Sequence, residues 1–92
     1  MKTIREIADL MVAEAERAER RHGPHSASHH SFGVLMEEVD ELWDEVKRDD
    51  VDCANHEAIQ VGAMAIRFIR ESARWNGLEP KPMIKVRKRK AK

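Results

Sequence analysis

Residues 34–70 read VLMEEVDELWDEVKRDDVDCANHEAIQVGAMAIRFIR, and this stretch decides the fold. Leu35, Val39, Leu42 and Val46 recur every three or four residues, so the first half winds as one amphipathic helix from about Phe32 to Arg48. The cluster Asp49-Asp50-Val51-Asp52 breaks that pattern, with Asp52 placed as the N-cap of a further helix from about Cys53 to Trp75, which Asn76-Gly77 closes. On this last helix the apolar arc runs from Met64, Phe68 and Val61 through Ala65, Ala58, Ile69, Gly62, Ala73 and Ile66 to Ile59. It covers more than half of the circumference, leaving one sector to Arg67, Arg70, Arg74, Gln60 and Glu71. Such a helix is central. Ala58, Gly62 and Ala65 remove bulk on one side and admit a close neighbour.

Upstream, Ile4, Ile7, Met11, Ala15 and Ala18 mark a first amphipathic helix from about Thr3 to Arg21, which His22-Gly23-Pro24 ends. The Ser/His-rich stretch to Ser31 has no apolar period and reads as a loop. No alternating run marks a strand. The expected fold is therefore all-α with three main helices. A monomer of three helices can hardly cover the arc of the third, so the chain is expected to form a homo-oligomer, a dimer or a dimer of dimers. In it, helices two and three of two chains build a four-helix core.

The 92 residues suffice for one small domain, and the 17 basic and 17 acidic residues cancel while the five histidines are neutral. Residues 79–92 hold seven of the basic residues and one acid, which leaves residues 1–78 with 10 basic against 16 acidic, a net charge of −6. The chain thus divides into a helical domain, 1–78, and a basic tail, 79–92, that Pro80 and Pro82 keep extended. The longest run without polar side chains, Val61 to Ile66, is far shorter than the ~20 residues of a membrane span. No charged-then-apolar leader opens the chain, so no membrane partner and a cytoplasmic location are expected. Cys53 is the single cysteine, which excludes an intrachain disulfide and a multi-cysteine zinc site.

The segment Glu37-Glu38-Val39-Asp40-Glu41-Leu42-Trp43-Asp44-Glu45 contains six acids in nine residues. A solvated face is the ordinary reading of such a run, and angular position tests it. With Val34 at zero and about 100° per residue, the apolar stripe centres at about 110° and a purely solvated face at about 290°. Glu37 and Asp44 lie on that solvated side, whereas Glu38, Glu41 and Glu45 fall at about 40°, 340° and 20°, on the border of the core. Glu57 stands on the corresponding border of the third helix, among Met64, Phe68 and Val61. Antiparallel packing across the short Asp49 to Asp52 connection would bring Glu38, Glu41 and Glu57 together. Like charges ~5 Å apart repel by roughly 3 kcal/mol per pair at an effective dielectric of ~20, so the three need a cation. Oxygen ligands alone select Mg²⁺ or Mn²⁺, which keeps open positions for phosphate oxygens and lowers the pKa of a bound water.

Glu37-Glu38-Val39-Asp40-Glu41, followed after fifteen residues by Glu57-Ala58-Ile59-Gln60, resembles the EExxE then ExxD signature of the MazG-like all-α nucleoside triphosphate pyrophosphohydrolases. The similarity extends over about Ser26 to Arg70 and is greatest to short, single-domain members. It implies magnesium held by Glu38, Glu41 and Glu57, with Glu37 beside them, and attack of water between the α and β phosphates of a nucleoside triphosphate. Monophosphate and pyrophosphate are the products. In two places the sequence departs from that pattern. Gln60 stands where Asp is usual, leaving one metal charge uncompensated unless a nearby acid substitutes, although its amide oxygen can still ligate or orient a water. His30 stands where the closest relatives carry an acid.

Arg67, two turns beyond Gln60 on the same sector, is a candidate phosphate contact or a surface arginine. Trp43, on the far border of the second helix, is a candidate to stack on a base or to pack against another subunit. His22, His25, His29 and His30 lack cysteine partners and ordered spacing, and read as solvent or substrate-edge residues rather than a zinc site. The rival reading is a non-catalytic helical dimer whose tail, Lys81 to Lys92, serves as a nucleic-acid-associated or regulatory module.

Overall fold

A computed structural model describes residues 1–83 of the chain. It is all-helical, with α1 over Ile4–His22, α2 over Ser28–Lys47 and α3 over Val51–Asn76. The rest of the basic tail, and with it the nucleic-acid reading that depends on it, lies outside the described residues. Among the described residues there is no strand, and no helix is long and apolar enough to cross a membrane.

Capping groups explain where α1 and α3 begin. Thr3 Oγ1 accepts the Glu6 N–H at 3.1 Å while the Glu6 carboxylate accepts the Thr3 N–H at 2.8 Å, so two otherwise orphaned donors are satisfied reciprocally. α2 starts at Ser28, four residues before the expected Phe32, so His29 and His30 are helical rather than loop residues. The polar composition hid this turn because its side chains bond back to the preceding loop. His30 Nδ1 accepts the Ser26 N–H at 3.0 Å, and Ser31 Oγ lies 2.7 Å from His25 Nδ1. α3 starts at Val51, with Asp50 rather than Asp52 as its N-cap, Asp50 Oδ1 accepting the Cys53 N–H at 3.0 Å. Asp49, at φ 58°, takes the left-handed conformation that reverses the chain, and Asp50 is the next residue able to cap. Gly77, at φ 71°, ends α3 as expected, its N–H reaching Ala73 O.

α3 is central. α1 and α2 each pack against it, and no Cα of α1 comes within 8 Å of one in α2. The result is an open V with α3 as its floor. Among the described residues the buried apolar side chains are Ala15, Ala18, Ala63 and Met64, joined by the half-buried Val34, Leu35 and Ile66. Small residues let α1 lie close to α3, for the Met11 thioether covers Gly62 and occupies the space that a β-carbon there would need. Gly62→Val is therefore expected to cost about 1–3 kcal/mol by overpacking. A thermal melt of the variant, with partial rescue by Met11→Ala, checks this.

The burial of α3 differs from the sequence expectation. Two residues of its polar sector, Arg67 and Glu71, are each 2% exposed, whereas Arg70 and Arg74 of the same sector are exposed and Ile69 on the apolar arc is 49% exposed. α1 and the loop after it cover the polar side, where Gly23 O accepts from Arg67 and His25 O accepts from Trp75 Nε1 at 3.1 Å. α2 is rotated in the same sense. Phe32, Met36, Trp43 and Val46 form an exposed stripe, while Val34, Leu35 and Glu38 are half-buried. Glu38 and Glu45 of the acidic border are thus half-buried alongside Leu35, Val39 and Leu42, while Glu41 is exposed.

Candidate metal centre

The open side of the V is a cleft of about 500 Å³ to which all three helices contribute. Glu38 and Glu41 stand three residues apart and share one face of α2. Glu57 meets them from α3, and one carboxylate oxygen from each of the three lies within 4.8 Å of the others. Antiparallel packing across the tight Arg48–Asp50 turn produces this convergence, as the angular reading required. Glu38, Glu41 and Glu57 form no ion pair among the described residues.

Two consequences of this crowding are visible. Burial first, and then the adjacent Glu57 and Glu41 carboxylates, push Glu38 up to about 7. Glu57 Oε2 is buried without a hydrogen-bond partner. Buried acceptors are nearly always satisfied, so this oxygen has the surroundings of a ligand atom. Carboxylates alone, with no cation beside them and one oxygen orphaned, fit a hard divalent ion such as Mg²⁺ or Mn²⁺. Glu38, Glu41 and Glu57 would hold it, and the exposed Glu37, which also lines the cleft, stands at its rim.

Gln60 lines the same cleft outside this group, and its Nε2 donates to Glu14 Oε2 at 2.8 Å. Its carbonyl oxygen is left to face a ligand or a water. Glu14 was not legible from the α2 and α3 motifs. Paired with Arg17, whose Nε donates at 2.7 Å, and bonded to Gln60, it is held down to about 2 and brings a permanent negative charge from α1. The signal was available, because Glu14 borders the Ile7–Met11–Ala18 stripe of α1 at the helical angle that singled out Glu38 and Glu41 on α2. Arg17 and His56 are further lining residues absent from the motif reading.

Arg67 also lines the cleft, but it is buried rather than a surface arginine. Trp43 is outside the cleft, 57% exposed, with Lys47 Nζ 5.6 Å from its ring centroid. The rotation of α2 turns it to the outer stripe, away from the cleft of its own chain. His25 is the buried histidine of the former loop, whereas His22, His29 and His30 are exposed.

Glu45, Asp50 and Cys53 form a second close group at the α2–α3 turn. Asp50 is occupied as the N-cap, Glu45 accepts from Arg48 at 3.2 Å, and the Asp50 carboxylate raises the Cys53 thiol above its usual range. A protonated thiol beside engaged carboxylates is a poor ligand set. A larger groove of about 890 Å³, lined by Pro24, Ile66, Ile69, Ala73 and Pro80 among others, contains no such carboxylate group among the described residues. No family model matches this chain, and no curated protein or solved structure does either.

Proposed function

We propose that the cleft is the active site of a magnesium-dependent nucleoside triphosphate pyrophosphohydrolase. The observation that supports this reading best is the convergence of Glu38, Glu41 and Glu57 to within 4.8 Å, with a buried carboxylate oxygen left unpartnered. Their place in the EExxE and ExxQ segments, and the likeness of those segments to the MazG-like signature, point to the same chemistry. In this reading Glu38, Glu41 and Glu57 hold Mg²⁺ or Mn²⁺, and Glu37 approaches from the rim. The ion, when bound, neutralises phosphate charge and acidifies a water. Gln60, its amide nitrogen engaged by Glu14, would present its oxygen to orient the attacking water. Water adds to the α-phosphorus and gives up a proton to solvent, the bond from the α-phosphorus to the oxygen bridging to the β-phosphate breaks, and pyrophosphate leaves with the electron pair.

The same reading takes the protein as a cytoplasmic homo-oligomer, a dimer or a dimer of dimers, joined through the exposed apolar faces of α2 and α3. A panel of nucleoside triphosphates with and without Mg²⁺ tests the activity. Equimolar monophosphate and pyrophosphate, dependent on the metal, are expected for at least one nucleotide. Stepwise release of phosphate, or no metal-dependent turnover across the panel, would refute it.

A further inference from the structure

The end of the cleft opposite the carboxylates has the reverse chemistry. Arg67 is 2% exposed, and its one hydrogen bond goes from Nη2 to the Gly23 carbonyl. Its Nε is buried without a partner, and among the described residues no carboxylate lies within 4.0 Å of the guanidinium. Glu71, one turn on, is the nearest acid along α3, and Arg74 Nη1 donates to it at 3.1 Å. A guanidinium cannot shed its proton, so a buried one without a counter-charge is costly unless an anion reaches it.

The groups around Arg67 also donate. His30 Nδ1 accepts the Ser26 N–H at 3.0 Å, which puts the ring proton on Nε2 and makes that nitrogen a donor. The His25 ring lies 5.0 Å from that of His30 and is packed against Ser31. His22 completes the lining from α1. The acids that line the cleft stand about two turns or more from these residues along their own helices. Ten residues of α3, about 15 Å of helix rise, separate Arg67 from Glu57.

We propose that Arg67 and His30, with His22 and His25 around them, form an oxyanion site of the phosphate class that fills without a metal ion. The planar guanidinium fork matches phosphate oxygens, and the His30 Nε2–H adds a second direction of approach. This goes beyond the hydrolase reading. The anion comes either from the phosphate chain of a nucleotide or from free phosphate or pyrophosphate.

Calorimetric titration of the full chain in EDTA and low salt tests the proposal without turnover. Pyrophosphate or inorganic phosphate should bind once per chain, and Arg67→Gln and His30→Ala should each weaken binding by about tenfold or more. Asp44→Asn, exposed and outside the cleft, should bind as the wild type does. His30→Ala alters an exposed ring, and with wild-type helical content it keeps the test valid if Arg67→Gln does not fold. A non-hydrolysable triphosphate analogue that displaces pyrophosphate one for one identifies the nucleotide's own phosphates as the source. Failure of the analogue to displace it identifies a free anion. Absence of metal-free anion binding, or binding that survives in folded Arg67→Gln or His30→Ala as it would if the basic tail were responsible, overturns the site. Either result leaves the hydrolase reading to its own test, which depends on metal and turnover.

Discussion

Glu38→Gln, Glu41→Gln and Glu57→Gln are each expected to lower Mg²⁺-dependent pyrophosphate release by at least about a hundredfold while the chain remains folded. Each substitution keeps the side-chain shape and removes a ligand charge. In the metal-free protein the effect on stability has the opposite sign. Three carboxylates with oxygens within 4.8 Å repel, so each variant should melt higher in EDTA at pH 7.5, by about 1 kcal/mol once solvent screening is discounted.

The pH dependence follows from Glu38. Its folded-state pKa of about 7 exceeds the unfolded value of about 4.3, so between these values the folded protein binds the additional proton. Metal-free stability should therefore fall as pH rises from about 4.3 through about 7. Glu38→Gln should flatten that decline. Added Mg²⁺ should stabilise the wild type increasingly as pH rises, because the metal takes the ionised form. Glu37→Gln should be milder in activity, and Asp44→Asn neutral, since Asp44 is exposed and, among the described residues, paired only with Lys47 at 3.3 Å. Full activity in all three core-edge variants, or lower metal-free midpoints, would eliminate the metal centre.

Phe32→Glu combined with Trp43→Glu is expected to convert an oligomer into a poorly folded monomer. Phe32, Met36, Trp43 and Val46 line one exposed face of α2, and Ile69 is exposed on α3. Among the described residues four apolar side chains are buried, three of them alanines. Burial on that scale offers little against the conformational entropy of ordering three helices. Light scattering of the wild type at micromolar concentration should show no stable monomer. The double variant should be monomeric, with a thermal midpoint lower by roughly 10 °C or more. A wild-type monomer that melts cooperatively would refute the arrangement, and an unchanged oligomer in the variant would show that another face is used.

The sequence alone determined what depends on local periodicity and chemistry. Apolar spacing located all three helices, Gly77 ended the last of them, and the wide arc of α3 made it the central element. The angular offset of Glu38, Glu41 and Glu57 identified the acids that converge, because position on a helix and a short connection leave little freedom once α2 and α3 pack antiparallel. Helix rotation was beyond that reach. Whether the acidic border of α2 or its apolar stripe turns inward depends on both neighbours at once, and a single helical wheel contains no information about the other helix. Tertiary structure therefore decided that Trp43 faces outward, that Arg67 and Glu71 are buried beneath α1 and its following loop, and that Glu14 crosses from α1 to Gln60. The early start of α2 belongs here as well. Ser28 to Ser31 have no apolar period, and the bonds from His30 to Ser26 and from Ser31 to His25 that hold this turn form between side chains and a loop whose path only the packed chain determines.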